Sequence, residues 1–244
     1  MPYYDYFAQF HQMPLEELRR KAEESAQKAR SKGKVYDPVL PPGRSRKLCT
    51  TWWGDAWCRN LERYADYASR IDRGKRYVRS GAVVDLKIDG GKIMAKVQGS
   101  RRTPYRVDIR IEALPEARRK EIEQQAAGKI KDLAALAGGA FPEELKELFF
   151  SSKGLFPTPK EIHFDCSCPD WAYMCKHVAA AMYGIGVRLD QNPFYFFQMR
   201  GLDVDKLIEK AIGNRLDLML ANVDAKSPRI MEGVDLLAVF GVEQ

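Results

Sequence analysis

The sequence predicts an α+β fold, in which a small antiparallel sheet has flanking helices and is joined by a compact Cys3His zinc-knuckle unit. Three observations predict it. Strand-like runs separated by turn signals fill residues 82–111, helical spacing of apolar residues precedes and follows them, and three cysteines and a histidine cluster between residues 166 and 177. The 244 residues, 45% apolar and 30% charged, are typical of a globular protein with a buried core.

The first predicted element is a helix over residues 14–32. Its apolar residues recur at helical spacing but form only a narrow face, and Gly33 ends it. Residues 37–47 are rich in proline and predict an extended connection. We therefore expect residues 1–40 to form a peripheral arm that is ordered only when it is docked.

A second helix is predicted from Thr51, the candidate N-cap, to about Ala68. Trp53, Trp57 and Leu61 lie on one helical face. Aromatic residues at this spacing are usually core residues, so the tryptophans are interpreted as an anchor for the core. Stacking on nucleic-acid bases is the less favoured alternative.

Three strands are predicted at residues 82–88, 92–98 and 105–111. Asp89-Gly90-Gly91 supplies the turn of a tight hairpin between the first two. In the third, apolar residues alternate with Arg106, Asp108 and Arg110. The pattern predicts a sheet with one buried face and one solvated, basic face.

The rest of the chain is predicted to be mainly helical. Residues 114–150 form helix with a break at Gly138-Gly139, and further helices are expected at residues 203–212 and 234–240. These boundaries divide the chain into a helical arm and linker (1–44), a basic α+β domain (45–150), a zinc finger (151–190) and a C-terminal helical extension (191–244).

The strongest chemical signal is the set Cys166, Cys168, Cys175 and His177. Three thiolates and one imidazole are a common structural zinc set. In the strand-like run before them, residues of equal parity share a face, so Cys166 and Cys168 can hold one ion while His163 points away. Cys175 and His177 can converge only if Cys175 caps the following helix and His177 lies in its first turn.

This set predicts one structural Zn²⁺ and no catalysis. A disulfide between Cys166 and Cys168 would be strained, and four protein ligands leave no open position for water. The motifs of phosphate-binding loops, serine hydrolases, zinc proteases and zinc deaminases are absent. We expect no enzyme activity and no small-molecule substrate. Cys49 and Cys58 are interpreted as buried thiols.

The basic residues are concentrated in the first half of the chain. Residues 1–112 carry 24 basic and 14 acidic side chains, whereas residues 113–244 carry 16 and 19. Such a surplus suggests a polyanionic partner, although a solubilising surface would have the same composition. The candidate nucleic-acid contacts are Arg73, Lys75, Arg76, Arg79, Arg101, Arg102 and Arg106.

Hydropathy and cysteine usage predict the compartment. Uncharged apolar runs reach only about ten residues, well short of the about 20 that span a bilayer, so no membrane association is expected. Clustered cysteines suit a metal site in a reducing compartment. We expect a cytoplasmic protein, with association with the nucleoid as an open alternative.

Several segments resemble a known family. The Cys-x-Cys and Cys-x-His pairs, together with TWWGDAW (51–57), VQGSRRTPYRV (97–107) and DLLAVFGVE (235–243), resemble a bacterial protein with a SWIM zinc finger over about residues 45–244. The resemblance implies binding of DNA or of other proteins, and a Swi/Snf-type helicase-like ATPase as partner.

Two functions are therefore expected. The first is a nucleic-acid-binding accessory subunit, with DNA favoured over RNA, in which the basic half contacts phosphates. The second is a protein-interaction adaptor in which the zinc finger docks on an ATPase or on the transcription machinery. The slight acidity of the finger region and the net charge of about −1 on a closed Cys3His zinc site fit the adaptor better at the finger itself.

Overall fold

The computed structural model describes residues 13–40, 43, 47–62, 68–129, 143–151, 154–170 and 172–221. Its helices are α1 (Leu15–Arg30), α2 (Trp52–Glu62), α3 (Ala68–Arg79), α4 (Glu116–Lys129), α5 (Lys146–Phe150), α6 (Lys176–Gln191), α7 (Tyr195–Met199) and α8 (Val204–Ala221). Its strands are β1 (Val83–Asp89), β2 (Lys92–Val97), β3 (Tyr105–Ile111) and β4 (Ile162–Cys166). The predicted α+β class is confirmed.

The four strands form one antiparallel sheet in the order β1-β2-β3-β4. The predicted hairpin joins β1 to β2, and Gly90 takes the positive φ of 53° that its turn requires. The sheet is larger than the three strands expected at 82–111, because β4 pairs with β3 and places Phe164 opposite Ile109. The strand that leads into the cysteine cluster is therefore part of the main sheet.

The outer face of the sheet alternates in charge. The basic residues on this face are Lys87, Lys92, Lys96, Arg106 and Arg110, and the acidic residues are Asp85, Asp89, Asp108 and Asp165. Lys96 contacts Asp85 at 2.9 Å, and Arg106 contacts Asp108 at 2.8 Å. The expected basic face is thus largely neutralised by its own carboxylates.

Helix α6 lies at the centre of the molecule. Twelve of its 16 residues are buried, and it contacts α2, α3 and all four strands. A helix that is apolar around its circumference belongs in a core. The helix that carries His177 therefore shares one hydrophobic cluster with the sheet.

Helix α2 anchors this core as predicted. The indole N–H groups of Trp53 and Trp57 donate to the carbonyls of Leu189 and Met182 on α6, each at 2.8 Å. Thr51 caps the helix, because its hydroxyl accepts from the Gly54 N–H at 3.1 Å. Satisfied indole donors let both large rings be buried.

Helix α3 was not predicted as a separate element. The sequence favoured one helix from Thr51 to Ala68, but α2 ends at Glu62 and α3 begins at Ala68. Helix α3 packs closely on α6 at Gly74, where an added Cβ would lie 2.6 Å from Ala179 Cβ. The close approach depends on a glycine that sequence periodicity does not reveal.

The N-terminal segment is docked on the sheet. Leu18, Ala22 and Ala29 of α1 are buried. Beyond α1, the Val39 N–H donates to the Val83 carbonyl and the Leu86 N–H donates to the Asp37 carbonyl. This segment covers the exposed edge of β1, which would otherwise invite pairing with another chain.

Some predictions lie outside the described residues, namely the Gly138-Gly139 break and the helix at 234–240. The helix expected at 203–212 is present and extends to Ala221. The boundaries between the four predicted segments stay predictions. None of the described helices combines the length and apolar composition needed to cross a membrane.

Candidate metal centre

Local structure brings the four predicted ligands together. Cys166 ends β4, and Cys168 follows two residues later with its Sγ in the same cluster. The Ser167 N–H donates to the Arg106 carbonyl at 3.0 Å, which extends the pairing with β3 past the end of the strand. Cys175 is the N-cap of α6 and His177 lies in its first turn, as the sequence predicted.

The donor atoms fit one zinc ion. One ligand atom from each of Cys166, Cys168, Cys175 and His177 lies within 4.8 Å of the other three. Cys175 Sγ is 3.9 Å from His177 Nδ1, so the Nδ1 side of the ring faces the thiols. A tetrahedral zinc with ligand bonds of about 2.0–2.3 Å separates its donors by roughly 3.5–3.8 Å. The residues therefore form a closed structural Zn²⁺ site with soft, zinc-preferring donors.

Hydrogen bonding prepares Cys175 as a thiolate. The Cys166 thiol, the His177 ring and the Val178 N–H lower the pKa of Cys175 to about 4 despite burial. Burial lowers the pKa of His177, which keeps its imidazole neutral and able to bind metal. The pKa values of Cys166 and Cys168 are raised, the first by its hydrogen bond to Cys175 and the second by burial. Zinc binding must therefore displace protons from these two thiols.

Contacts with α3 and β4 hold the loop between the two ligand pairs in place. Arg70 of α3 holds Asp170 through two contacts of 3.0 and 3.3 Å, and the Asp170 carboxylate also accepts from the Ala172 N–H. The Tyr173 hydroxyl donates to the Ile162 carbonyl at 2.6 Å. His163 lies on the other face, 2.9 Å from Glu112, which confirms that it is not a ligand.

An aromatic stack connects His177 to a basic turn. The Tyr105 ring stacks on the His177 ring at 4.1 Å, and the Arg101 guanidinium lies 5.0 Å from the Tyr105 centroid. Gly99 lets the turn approach, since an added Cβ would lie 2.6 Å from the Tyr105 ring and 3.0 Å from His177 Nε2. The zinc ligand and the Arg101 turn are thus packed as one unit.

The structure separates the seven predicted nucleic-acid contacts into different environments. Lys75 pairs with Glu62 at 2.7 Å, Arg76 donates to the Met13 carbonyl at 2.6 Å, and Arg106 pairs with Asp108. Arg73 and Arg79 lie on α3. Arg101 and Arg102 are exposed at the turn between β2 and β3.

Sequence reasoning missed two cations beside Arg101 and Arg102. Lys21 and Lys28 of α1 line the same cleft as the two arginines. Their spacing with Ser25, at i, i+4 and i+7, places all three on one helix face, and this pattern is visible in the sequence. The expectation of a peripheral arm gives no reason for that face to meet the turn.

Fold and donor set define a class of protein, an α+β protein with a Cys3His zinc centre built onto the edge of its sheet. The SWIM zinc finger family model matches residues 164–184, which include all four ligands. The chain therefore contains a SWIM zinc finger, and the resemblance noted in the sequence is confirmed there.

One relative extends the similarity beyond the finger. The chain is 36% identical over 172 residues to the uncharacterized protein Rv2102 of Mycobacterium tuberculosis. The alignment covers 70% of this chain and 62% of the relative, so the chain spans less than two thirds of the relative's length. No solved structure matches the chain significantly.

Proposed function

We propose that the protein is a non-catalytic accessory factor that binds nucleic acid, DNA in preference to RNA, and acts in the cytoplasm or at the nucleoid with a Swi/Snf-type helicase-like ATPase. In this proposal the zinc ion is structural. It holds the fold on which a basic surface is displayed, and the phosphate contacts are made by residues outside the finger.

The observation that carries the proposal is the pair Arg101 and Arg102. Both are exposed, and neither has a carboxylate partner in the part of the chain that the structure describes. A guanidinium that is not neutralised within the protein can contact phosphate and release condensed counterions. Lys75 and Arg106, which are already paired, contribute less.

Charge reversal at the turn tests the proposal. The double variant Arg101→Glu, Arg102→Glu is expected to weaken binding to labelled DNA of any sequence, and to lower the slope of log K against log salt by about 1 for each phosphate that is no longer neutralised. Fluorescence anisotropy over a salt series measures both. Zinc content should stay unchanged, since neither residue is a ligand.

Lys176→Glu is the comparison variant that tests the finger as the contact surface, because Lys176 lies between the ligands Cys175 and His177. It should weaken binding less than the double variant. Parent-like binding by the double variant, together with abolished binding by a folded, zinc-loaded Lys176→Glu protein, would make the finger the contact surface and overturn the assignment.

The alternative is a protein adaptor. Because α6 is buried in the core, a partner of the finger would have to contact the ligand loop, where Tyr173 is 54% exposed. Affinity capture of the endogenous protein with and without nuclease separates the two functions. Recovery of an ATPase that survives nuclease, with no salt-dependent DNA binding by the purified protein, would favour the adaptor.

A further inference from the structure

A cleft of about 410 Å³ lies between α1 and the turn at residues 98–102. Its polar lining comes from both elements, with Lys21, Ser25 and Lys28 on α1 and Gln98, Arg101 and Arg102 on the turn. The two elements are far apart in sequence, so the cleft exists only because α1 is docked on the sheet.

The cleft is strongly positive. Glu24 is the one carboxylate among the described residues that line it, and Glu24 pairs with Arg20 at 2.5 Å. Lys21 pairs with Glu17 at 3.5 Å. Over the described ranges, Lys28 and Arg102 contact no carboxylate. Cations that converge on a cavity without internal partners favour an anionic ligand.

The turn is held in place before any ligand arrives. The buried Gln98 amide donates to the carbonyls of Gly99 and Arg101 at 3.0 and 2.7 Å, and its oxygen accepts from the Ser25 hydroxyl at 2.5 Å. Lys21 Nζ donates to the Ser100 carbonyl at 3.2 Å. A preorganised turn loses little conformational entropy on binding.

We propose that this cleft binds a phosphodiester group of the nucleic-acid backbone, with Lys28 contributed by α1 and Arg101 and Arg102 by the turn. The inference rests on the proposed function and assigns part of the contact surface to the N-terminal helix. Gln98, Ser25 and Lys21 are positioning residues, since their polar atoms are used within the protein. The cleft therefore contacts phosphate and does not read base sequence.

Lys28→Gln tests the contribution of α1 without touching the turn. With a labelled single-stranded and duplex DNA of the same sequence, the variant is expected to bind roughly tenfold more weakly near 0.1 M salt, and to lower the log–log salt slope by about 1. Arg19→Gln is the matched control. It removes the same charge from an exposed position on the same helix, nine residues away and thus on the opposite face, and it should leave the slope unchanged.

Each outcome decides the inference. Parent-like binding by Lys28→Gln, while the Arg101→Glu, Arg102→Glu protein loses binding, overturns the cleft and leaves the proposed function standing. Absence of salt-dependent binding by the parent overturns both.

A competition experiment with inorganic phosphate tests whether the cleft binds the phosphates of nucleic acid or free phosphate. At matched ionic strength inorganic phosphate should displace DNA no better than chloride. Selective thermal stabilisation of the parent by phosphate, absent in Lys28→Gln and without any DNA binding, would make the cleft a free-phosphate site and overturn the backbone assignment.

Discussion

At the scale of single residues, the pair Arg200 and Glu161 shows how the core tolerates a buried charge. The Arg200 side chain is 2% exposed, and its guanidinium contacts Glu161 Oε1 and the Glu112 carbonyl, each at 2.5 Å. Burial acts to raise the pKa of Glu161, but hydrogen bonds from Arg200 and Thr158 outweigh it and hold the pKa below its ordinary value of 4.5. The ionised pair ties the end of α7 to the start of β4.

Glu161→Gln should be strongly destabilising at neutral pH. It leaves the Arg200 charge buried without its counterion, which costs about 3 kcal/mol, at the lower end for a buried pair because Glu161 is partly exposed. A lowered carboxylate pKa contributes stability above pH 4.5 that is lost as pH falls through the folded-state pKa. Urea unfolding between pH 7 and pH 3 should therefore show a smaller loss of stability in the variant than in the parent.

Glu116→Gln is the control for this pair. Glu116 pairs with Lys120 on the surface of α4, and both side chains are more than two-thirds exposed. The variant should change the free energy of unfolding by at most about 0.5 kcal/mol. If the two substitutions changed the free energy of unfolding equally, the buried Arg200–Glu161 pair would stabilise the protein no more than a surface ion pair does.

At the scale of elements, the contact between α3 and α6 depends on a missing side chain. Gly74→Ala should destabilise the protein by about 1–3 kcal/mol, because the new methyl group would lie 2.6 Å from Ala179 Cβ and 3.0 Å from the α6 backbone. Alanine's better helix propensity offsets at most about 1 kcal/mol of this. Thermal or chemical unfolding measures the difference.

Gly213→Ala on α8 provides the opposite case. An added Cβ at Gly213 has nothing within 4 Å among the described atoms, so helix propensity alone should act and stabilise the protein by up to about 1 kcal/mol. If both alanine variants were stabilising, the close helix crossing would be wrong.

At the scale of the whole molecule, zinc should stabilise the entire α+β fold and not the zinc finger alone. β4 belongs to the main sheet and α6 to the common core, so removal of the ligand cluster affects both. Cys175→Ala should lower Tm in one cooperative transition. Losing about 4 kcal/mol corresponds to a shift of about 8–16 °C in a domain of this size. Calorimetry and zinc analysis of protein purified without added metal check this.

His163→Ala is the matched control for zinc loss. His163 lies close to the cluster in sequence but contacts Glu112 on the outer face. The variant should keep one zinc per chain and a Tm near that of the parent. A stable Cys175→Ala protein, or a parent without zinc, would contradict the structural role of the metal.

Features formed by residues close together in the sequence could be predicted, whereas contacts between distant segments could not. The four ligands lie within twelve residues, so strand parity and helix capping were enough to assign them. The hairpin and the tryptophan anchor are also local patterns. The pairing of β4 with β3, the Gly74 crossing and the meeting of Lys28 with Arg102 join distant segments, and no periodicity in either partner specifies them.

The position of β4 has a consequence for how the chain is made. β3 ends at Ile111 and β4 begins at Ile162, so during synthesis β3 has one unpaired edge while the next 50 residues are added. An open strand edge can pair with other chains. Cys175 and His177 emerge soon after β4, and metal capture there would lock the edge strand into place. The amount of zinc available in the cell would then determine how long the edge of β3 stays unpaired in each nascent chain and can pair with other chains.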